Sequence, residues 1–547
     1  MGSFMTSLGV AAGAYLAYSI LAAIYLLSFH RLARYPGPRL WAVSRIPWAY
    51  HVLKGDLWQT LLELHETYGP MVRIAPDELT TTSPGAWKEI YASRPLLLKD
   101  PYSQTPALNG SHSLFTAEGG THKRIRAVLN HSFSDKALRE QARIIERYAD
   151  SFMARIRREM ALPESQGSMG TVDLTKLYGY AAFDTITDLS LGESLCDGLA
   201  GLNEHGWVKN YFFHAKFSAI RTALSRFSPL DTVLGLVLPQ HDAQGASAEL
   251  EGALNRRLAQ AKPEKGNERS DLLSPLVDRL SSSDGSNKGP VGNSTITRGE
   301  TLSNGIAFVI AGTQLNTNVL STATYLLLRY RGKWDRLADE VRTRFAAAAD
   351  ITVQSTQDLP YLDATINEAL RIRHPTPINL PRVVPRGVSL VVNGQAIPED
   401  VVVGINLQSV QNDSSLWVEP REFHPERFLP ATHPLYEKRF DADAKDAFIP
   451  FSTGPRNCVG NKSVAFLTFT PGVDVLILTW PPFLTRLFYA QVRLLIAKVV
   501  WSFDLEQPKA DGKVLGADND WLQQKAWFAF EPQPLWVKPV SRSVVKS

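Results

Sequence analysis

The N-terminal segment constrains this chain most strongly, because residues 1–29 contain no charged side chain. Residues 8–29 form an unbroken, mostly apolar run, and about 20 such residues in a helix cross the hydrocarbon core of a bilayer. His30, Arg31 and Arg34 follow this run instead of preceding it, which favours an uncleaved anchor over a signal peptide. A buried core helix is the weaker alternative, because no polar stripe interrupts the run. The sequence therefore predicts a single-pass membrane anchor at residues 1–29.

The residues after the anchor are expected on the cytosolic side, because the basic flank of a membrane span stays in the cytoplasm. Residues 30–50 are interpreted as a proline-rich linker. Its core, YPGPRLWAVSRIP at residues 35–47, is too rich in proline for a helix and is expected to act as a stiff elbow. Residues 51–547 then form the folded domain.

Composition excludes several classes of protein. With 44% hydrophobic and 20% charged residues, the 547-residue chain can bury a large core and is not disordered. Its net charge of +4 is spread without a dense basic tract, so nothing indicates nucleic-acid binding. Two cysteines, Cys196 and Cys458, cannot provide a secretory disulfide framework. A reducing compartment is therefore expected, with a cysteine free to act as a ligand.

Hydrophobic patterning predicts a mainly α fold with a minor β part. Helices are predicted at residues 134–160, 172–191, 271–280 and 298–330. The last of these is long and largely apolar, so it is expected to run through the core. Residues 388–407 are interpreted as a strand, an Asn-Gly turn and a second strand. The polar stretches 263–270 and 281–297 are predicted to be exposed loops.

The segment FSTGPRNCVG, residues 451–460, carries the main indication of chemistry. Gly454 permits a tight turn, and Cys458 comes just before a predicted helical segment, whose N-terminal amides favour a thiolate. A cysteine thiolate that ligates haem iron promotes cleavage of the O–O bond. An inert buried cysteine is the alternative, but Phe451, Gly454, Arg456 and Gly460 stand at fixed offsets around Cys458.

These residues match the haem-binding signature F-x-x-G-x-R-x-C, and the chain resembles the cytochromes P450. The resemblance implies the P450 fold, in which haem b lies between a long central distal helix and a proximal cysteine loop. It implies that Cys458 is the iron ligand, that Phe451 belongs to the cofactor site and that Arg456 pairs with a haem propionate. Residues 51–547 are accordingly expected to be a haem-thiolate catalytic domain.

A buried ion network is implied beneath the haem. Glu368 and Arg371 share one face of a helix, and Arg427 of the FHPERF segment is implied to pair with them. Removing one member of such a network would leave a buried charge unpaired, at a cost of about 3–5 kcal/mol.

Three more basic residues are implied to contact the haem propionates. Arg382 stands in the segment LPRVVP, and His122 and Arg126 lie one helical turn apart on a common face. A basic face in contact with solvent is the alternative interpretation for His122 and Arg126.

The predicted central helix departs from the family pattern. Its segment AFVIAGTQLNTNVL keeps Ala311 and Gly312, and the missing side chain of Gly312 is expected to leave room for dioxygen over the iron. Gln314, however, replaces the family's acid, and Leu315 replaces its threonine. That pair normally relays protons to bound dioxygen, and leucine cannot donate a hydrogen bond.

Other groups remain that could deliver the proton. They are Asn316, Thr313, a water molecule and a hydroxyl group of the substrate, whereas Thr317 lies about 200° around the helix from Leu315. One interpretation is proton delivery assisted by substrate or water, and the other is a relaxed site with reduced but intact activity. The candidate catalytic residues are Ala311, Gly312, Gln314 and Asn316.

Residues 464–487 interrupt the family pattern after Cys458. Deleting them joins GNKS to FYAQVRLLIAKVV, which brings Gln491 and Arg493 to the positions of a glutamate and an arginine in the family's proximal helix. The segment contains prolines and a glycine that an uninterrupted helix does not accommodate. The favoured interpretation is a retained intron, and the alternative is a real lid or membrane-contacting loop, since VLILTW is apolar.

The resemblance as a whole implies a monooxygenase that inserts one oxygen atom from dioxygen into an apolar small molecule. It implies an endoplasmic-reticulum membrane location and electrons from NADPH through a separate reductase, with cytochrome b5 as a further donor. Residues 35–47 and 182–194 resemble filamentous-fungal members that modify secondary metabolites such as terpenoids, polyketides or alkaloids. The open alternatives are a haem-thiolate enzyme for desaturation, ring formation or oxidative coupling, and a non-catalytic haem-binding remnant.

Overall fold

The structure is a computed structural model. It describes residues 2–103, 107, 110–162, 170–195, 198–201, 216–227, 243–260, 271–280, 295–459, 487–510, 513–514 and 521–542. Cys196, Gly460, the predicted loop at 263–270, residues 281–294 and most of the interrupting segment, 464–486, lie outside the described residues.

Helices make up most of the described chain, as predicted. Their bounds are Gly2–Ser28, Arg39–Val43, Ile46–Lys54, Leu57–Tyr68, Ala86–Tyr91, Gly119–Leu129, Asp135–Met160, Leu174–Leu191, Ala243–Gln260, Ser274–Val277, Arg298–Arg329, Arg331–Arg344, Pro360–Ile372, Leu407–Asn412 and Leu487–Ser502. We call Arg298–Arg329 the central helix and Leu487–Ser502 the final helix. Of the helices predicted from patterning, 271–280 shrinks to Ser274–Val277, and 172–191 begins with two residues of strand.

Small sheets complete the fold. The largest has the strand order Met71–Ala75, Glu78–Thr81, Val402–Ile405, Arg382–Val383, Leu98–Lys99. A second sheet has the order Val172–Asp173, Trp536–Ser541, Phe503–Glu506, and two hairpins pair Leu390–Val392 with Gln395–Ile397 and Lys509–Ala510 with Lys513–Val514. The predicted Asn-Gly turn is confirmed, since Asn393 and Gly394 both have positive φ. The second predicted strand is split, because its end, Val402–Ile405, pairs in parallel with Glu78–Thr81.

The central helix is the axis of the fold. It begins at a capping box, in which the Thr297 hydroxyl accepts from the Glu300 amide and the Glu300 carboxylate accepts from the Thr297 amide. Its middle packs against Leu174–Leu191, where Gly179 faces the side chain of Thr317. The prediction of a long core helix is confirmed.

The N-terminal helix contains a candidate membrane span, Phe4–Ser28, of which no residue is buried. The expectation that residues 35–47 are too proline-rich for a helix is wrong, because Arg39–Val43 is helical and Ile46–Lys54 begins with proline in its first turn. Proline is tolerated there because the first-turn amides of a helix have no partner within the helix. The expected linker boundary at residue 50 falls inside the second of these helices.

Candidate haem site

The cysteine loop, residues 451–459, is closed by backbone hydrogen bonds. The Cys458 amide donates to the Phe451 carbonyl over 3.0 Å, and the Asn457 amide donates to the Gly454 carbonyl over 3.1 Å. Gly454 has φ +77°, and a Cβ there would overlap the carbonyl oxygen of Tyr91, so only glycine fits. Cys458 is exposed, which argues against an inert buried cysteine.

Arg126 ties the helix Gly119–Leu129 to this loop. Its Nη1 donates to the Asn457 carbonyl over 2.5 Å, and its Nη2 donates to Asn457 Oδ1 over 2.8 Å. Burial lowers the pKa of Arg126, and the neighbouring Cys458 opposes that shift. The guanidinium therefore lies close enough to Cys458 to favour a thiolate.

Basic side chains from four segments converge beside the loop. The cluster consists of Lys99, His122, Arg126, Arg382 and Arg456. Burial, Arg456 and Arg126 lower the pKa of His122 to about 4, and burial, Arg456 and Arg382 lower the pKa of Lys99 to about 8. Glu118 is the acidic residue that counteracts this charge at Lys99. So much half-buried positive charge indicates an anionic ligand.

Lys99 is a member of this cluster that the sequence does not indicate. It is the direct cross-strand partner of Arg382, and like charges in that position destabilise a sheet unless an anion lies between them. Its Nζ donates to the Phe115 carbonyl. The lysine belongs to none of the recognised motifs, so only the strand pairing reveals it.

The implied network beneath the site is present and fully buried. Glu368 accepts from Arg371 Nε over 2.7 Å and from Arg427 Nε over 3.0 Å. Asp443, which the sequence does not indicate, accepts from Arg427 Nη1 over 2.6 Å. The indole of Trp417 lies 5.4 Å from the Arg371 guanidinium and 5.8 Å from that of Arg427. The network thus anchors the segment that leads into the cysteine loop.

The cysteine loop also contacts the start of the final helix. The Phe451 ring lies 5.5 Å from that of Phe488 and 5.9 Å from that of Tyr489. Two residues further on, Gln491 Oε1 accepts from Asn316 Nδ2 over 2.6 Å. The described residues on the two sides of 460–486 are therefore neighbours in space.

Part of the central helix borders solvent-accessible space, which we call the opening. Between residues 300 and 324 every residue is buried except Ile306, Ile310, Ala311, Gly312 and Leu315, which are half-buried. Their side chains are apolar and include the leucine that replaces the family's threonine. Although a proton donor is expected here, the described helix presents no hydroxyl or acid at these five positions.

Gly312 lies against a neighbouring helix. A Cβ at this position would lie 2.6 Å from Cγ1 of Ile186 on the helix Leu174–Leu191. The missing side chain therefore makes room for the neighbouring helix, and its expected role beside dioxygen stays a prediction. Thr313, another candidate donor, is buried with a hydroxyl that has no partner among the described residues.

Gln314 and Asn316 are brought to different places. Gln314 is 2% exposed and its Nε2 donates to the Phe530 carbonyl over 3.2 Å, whereas Asn316 points to Gln491. Neither amide joins the basic cluster or the half-buried face. The haem-contact predictions thus converge in space, while the predicted proton donors do not.

The residues present fit a haem: an exposed cysteine beside a basic cluster that would neutralise carboxylates, with an apolar helix face. A family model described as Cytochrome P450 matches residues 35–463. The chain is a cytochrome P450. Membership of this family implies haem iron with a cysteine thiolate ligand, redox partners and a small-molecule substrate. The mostly helical fold with small sheets agrees with the predicted fold class.

Curated relatives are similar along almost the whole P450 chain. It is 34% identical to an averantin hydroxylase of Dothistroma septosporum over 98% of this chain and 91% of that protein. It is 32% identical to a versicolorin B desaturase of the same fungus, over 98% of this chain and 94% of that protein. An averantin hydroxylase of Aspergillus parasiticus is 32% identical, with coverage of 94% and 93%. This P450 is therefore a haem-thiolate monooxygenase of the kind found in fungal secondary metabolism.

Proposed function

We propose that this P450 hydroxylates or desaturates an apolar, fungal secondary metabolite, using dioxygen and electrons passed from NADPH by a membrane-bound reductase. The observation that carries the proposal is the convergence of the exposed Cys458 with the basic cluster beside the apolar face of the central helix. Hydroxylation and desaturation are both supported, because the curated relatives include an averantin hydroxylase and a versicolorin B desaturase.

Different side chains would bind the iron, the propionates and the protein loop around haem b. Cys458 would ligate the iron, and Lys99, Arg126, Arg382 and Arg456 would neutralise the propionates. His122, which the lowered pKa keeps neutral near pH 7, would donate a hydrogen bond to one of them. When bound, the haem supplies dioxygen activation, which a thiolate ligand promotes. Phe451 would fix the loop by packing on the final helix, and Ala311 and Leu315 would exclude water from the substrate side.

Proton delivery is proposed to come from a water molecule or from a hydroxyl group of the substrate. Leu315 has no proton to give, and the amides of Gln314 and Asn316 are engaged elsewhere. A product formed under labelled dioxygen distinguishes the two reactions. Incorporated label supports hydroxylation, whereas an unlabelled product with an added double bond supports desaturation.

Residues 464–487 are proposed to be a retained intron and not part of the functional enzyme. The family match ends at residue 463, and Phe451 already contacts Phe488 across the segment. The final helix is also seated as a proximal helix would be, with Arg493 paired to Asp363 over 2.7 Å. Sequencing of the transcript tests this: messages without these codons are expected, and a transcript population that always contains them would refute it.

The proposed location is the endoplasmic-reticulum membrane, with residues 1–29 as the anchor and residues 51–547 as the cytosolic catalytic domain. Support comes from the exposed apolar helix Phe4–Ser28 and from the basic residues that follow it. Cytochrome b5 is proposed as a second electron donor. Protease treatment of intact microsomes should digest the catalytic domain if this orientation is right.

A further inference from the structure

A short turn near the C-terminus is fastened to the central helix. We call residues 526–530 the C-terminal turn. Ala526 and Phe530 form an isolated antiparallel bridge, and the Trp527 amide donates to the Ala529 carbonyl over 3.2 Å. The Phe530 ring is fully buried, 5.2 Å from the ring of Trp58. The turn is therefore an ordered element with a defined seat.

The seat on the helix is made of two amides. Gln314 Nε2 donates to the Phe530 carbonyl over 3.2 Å and to Asn318 Oδ1 over 3.3 Å. Asn318 Nδ2 donates to the same carbonyl over 3.4 Å. One carbonyl of the turn thus accepts hydrogen bonds from both side chains. Gln314 is only 2% exposed, so its amide makes these bonds away from solvent.

This seat borders the opening along the central helix. Ile310 and Ala311 lie four and three residues before Gln314, so they share its face of the helix, and both are half-buried. Phe528, in the middle of the turn, is 38% exposed. The turn is therefore bound on the helix face that also carries two of the half-buried apolar residues.

The chemistry of the seat requires an amide. An ionised acid at position 314 would place an acceptor against the Phe530 carbonyl in a buried site. The charged group packed on the turn is the Arg373 guanidinium, 3.7 Å from the centre of the Phe530 ring, and it already donates to the Leu522 carbonyl and to Gln524 Oε1. Burial would raise the pKa of such a carboxyl, so that only its protonated form could donate to the carbonyl. Glutamine supplies the donor at every pH.

We propose that Gln314 is a positioning residue that holds the C-terminal turn against the central helix and thereby sets one wall of the substrate opening. At position 314 this chain has an amide where the family has an acid, so the residue fixes a wall of the opening and is not a proton-relay group. The meaning of the opening as a substrate site rests on the proposed function, but the fastening of the turn does not.

Hydrogen exchange measured by mass spectrometry on the full-length protein tests the fastening without any need for activity. In Q314E at pH 8, amides in peptides covering residues 521–535 should exchange at least about 10-fold faster than in the wild type. The buried Phe530 carbonyl loses the shorter of its two hydrogen bonds and meets an acceptor in its place. At pH 5, below the raised pKa of the introduced carboxyl, the ratio should return towards one. Q314L, which buries no charge, should be faster at both values of pH.

N316D is the matched control, because it makes the same amide-to-acid change on the same helix but faces Gln491. In N316D, the ratio of the amide exchange rate in the C-terminal turn to that in the helix Asp135–Met160 should equal the wild-type ratio. Wild-type exchange of the turn in Q314L, or a Q314E effect that is equal at pH 5 and pH 8, would overturn the proposal. An inactive enzyme with the predicted exchange pattern would count against the proposed function alone.

Discussion

Replacing Glu368 by glutamine perturbs the buried network with almost no change in volume. The carboxylate is fully buried between two fully buried guanidinium groups, at 2.7 Å from Arg371 and 3.0 Å from Arg427. The amide of glutamine presents an N–H group to one of the guanidinium groups. Arg427 keeps its ion pair with Asp443, whereas the charge of Arg371 loses the carboxylate that compensates it. Breaking a buried charge pair costs about 3–5 kcal/mol, a large part of a typical unfolding free energy of about 5–15 kcal/mol.

Urea unfolding followed by tryptophan fluorescence measures this cost, because Trp417 stacks beside both arginines. The matched control is Glu66→Gln, which breaks an exposed ion pair with Arg421 and should cost less than about 1 kcal/mol. E368Q should unfold at a clearly lower urea concentration than E66Q. Equal midpoints for the two variants would refute the view that this network stabilises the fold.

Three further predictions address the cofactor, the proton and the pH dependence. Lys99→Gln should release haem to apomyoglobin several-fold faster than the exposed control Lys88→Gln, and equal rates would remove Lys99 from the site. Leu315→Thr should leave coupling of NADPH use to product unchanged if the proton comes from substrate or water; improved coupling would show that a side-chain donor is missing. His65 is buried and its pKa is lowered to about 4 by burial, so the unfolding free energy should fall by roughly 3 kcal/mol between pH 6.5 and pH 4. His65→Gln should make the unfolding free energy depend less on pH over this range. An unchanged pH dependence would contradict the view that burial of His65 causes the loss of stability.

The sequence was informative where the chemistry is local. The turn at Gly454, the Asn-Gly turn at residues 393–394 and the helix-face pairing of Glu368 with Arg371 each depend on residues a few positions apart. Local geometry alone decides such features. The haem-contact residues were predicted from the family motifs instead, and their roles towards the cofactor stay predictions.

Contacts between distant segments were beyond the sequence. The pairing of Lys99 with Arg382 and the fastening of Phe530 to Gln314 join residues more than 200 positions apart. The geometry of a single helix or hairpin does not bring such distant residues together. The glycine at 312 shows the same limit, because its neighbour Ile186 comes from another helix.

A carbon-monoxide difference spectrum of the reduced protein tests the central claim, that Cys458 ligates a haem held by the basic cluster. It should be recorded on the chain as written, on the chain without residues 464–487, and on the latter with Cys458→Ser. We predict the red-shifted band of thiolate-ligated haem in the deleted form and its loss in the Cys458→Ser variant. Absence of the band from both forms that retain Cys458 would contradict the account.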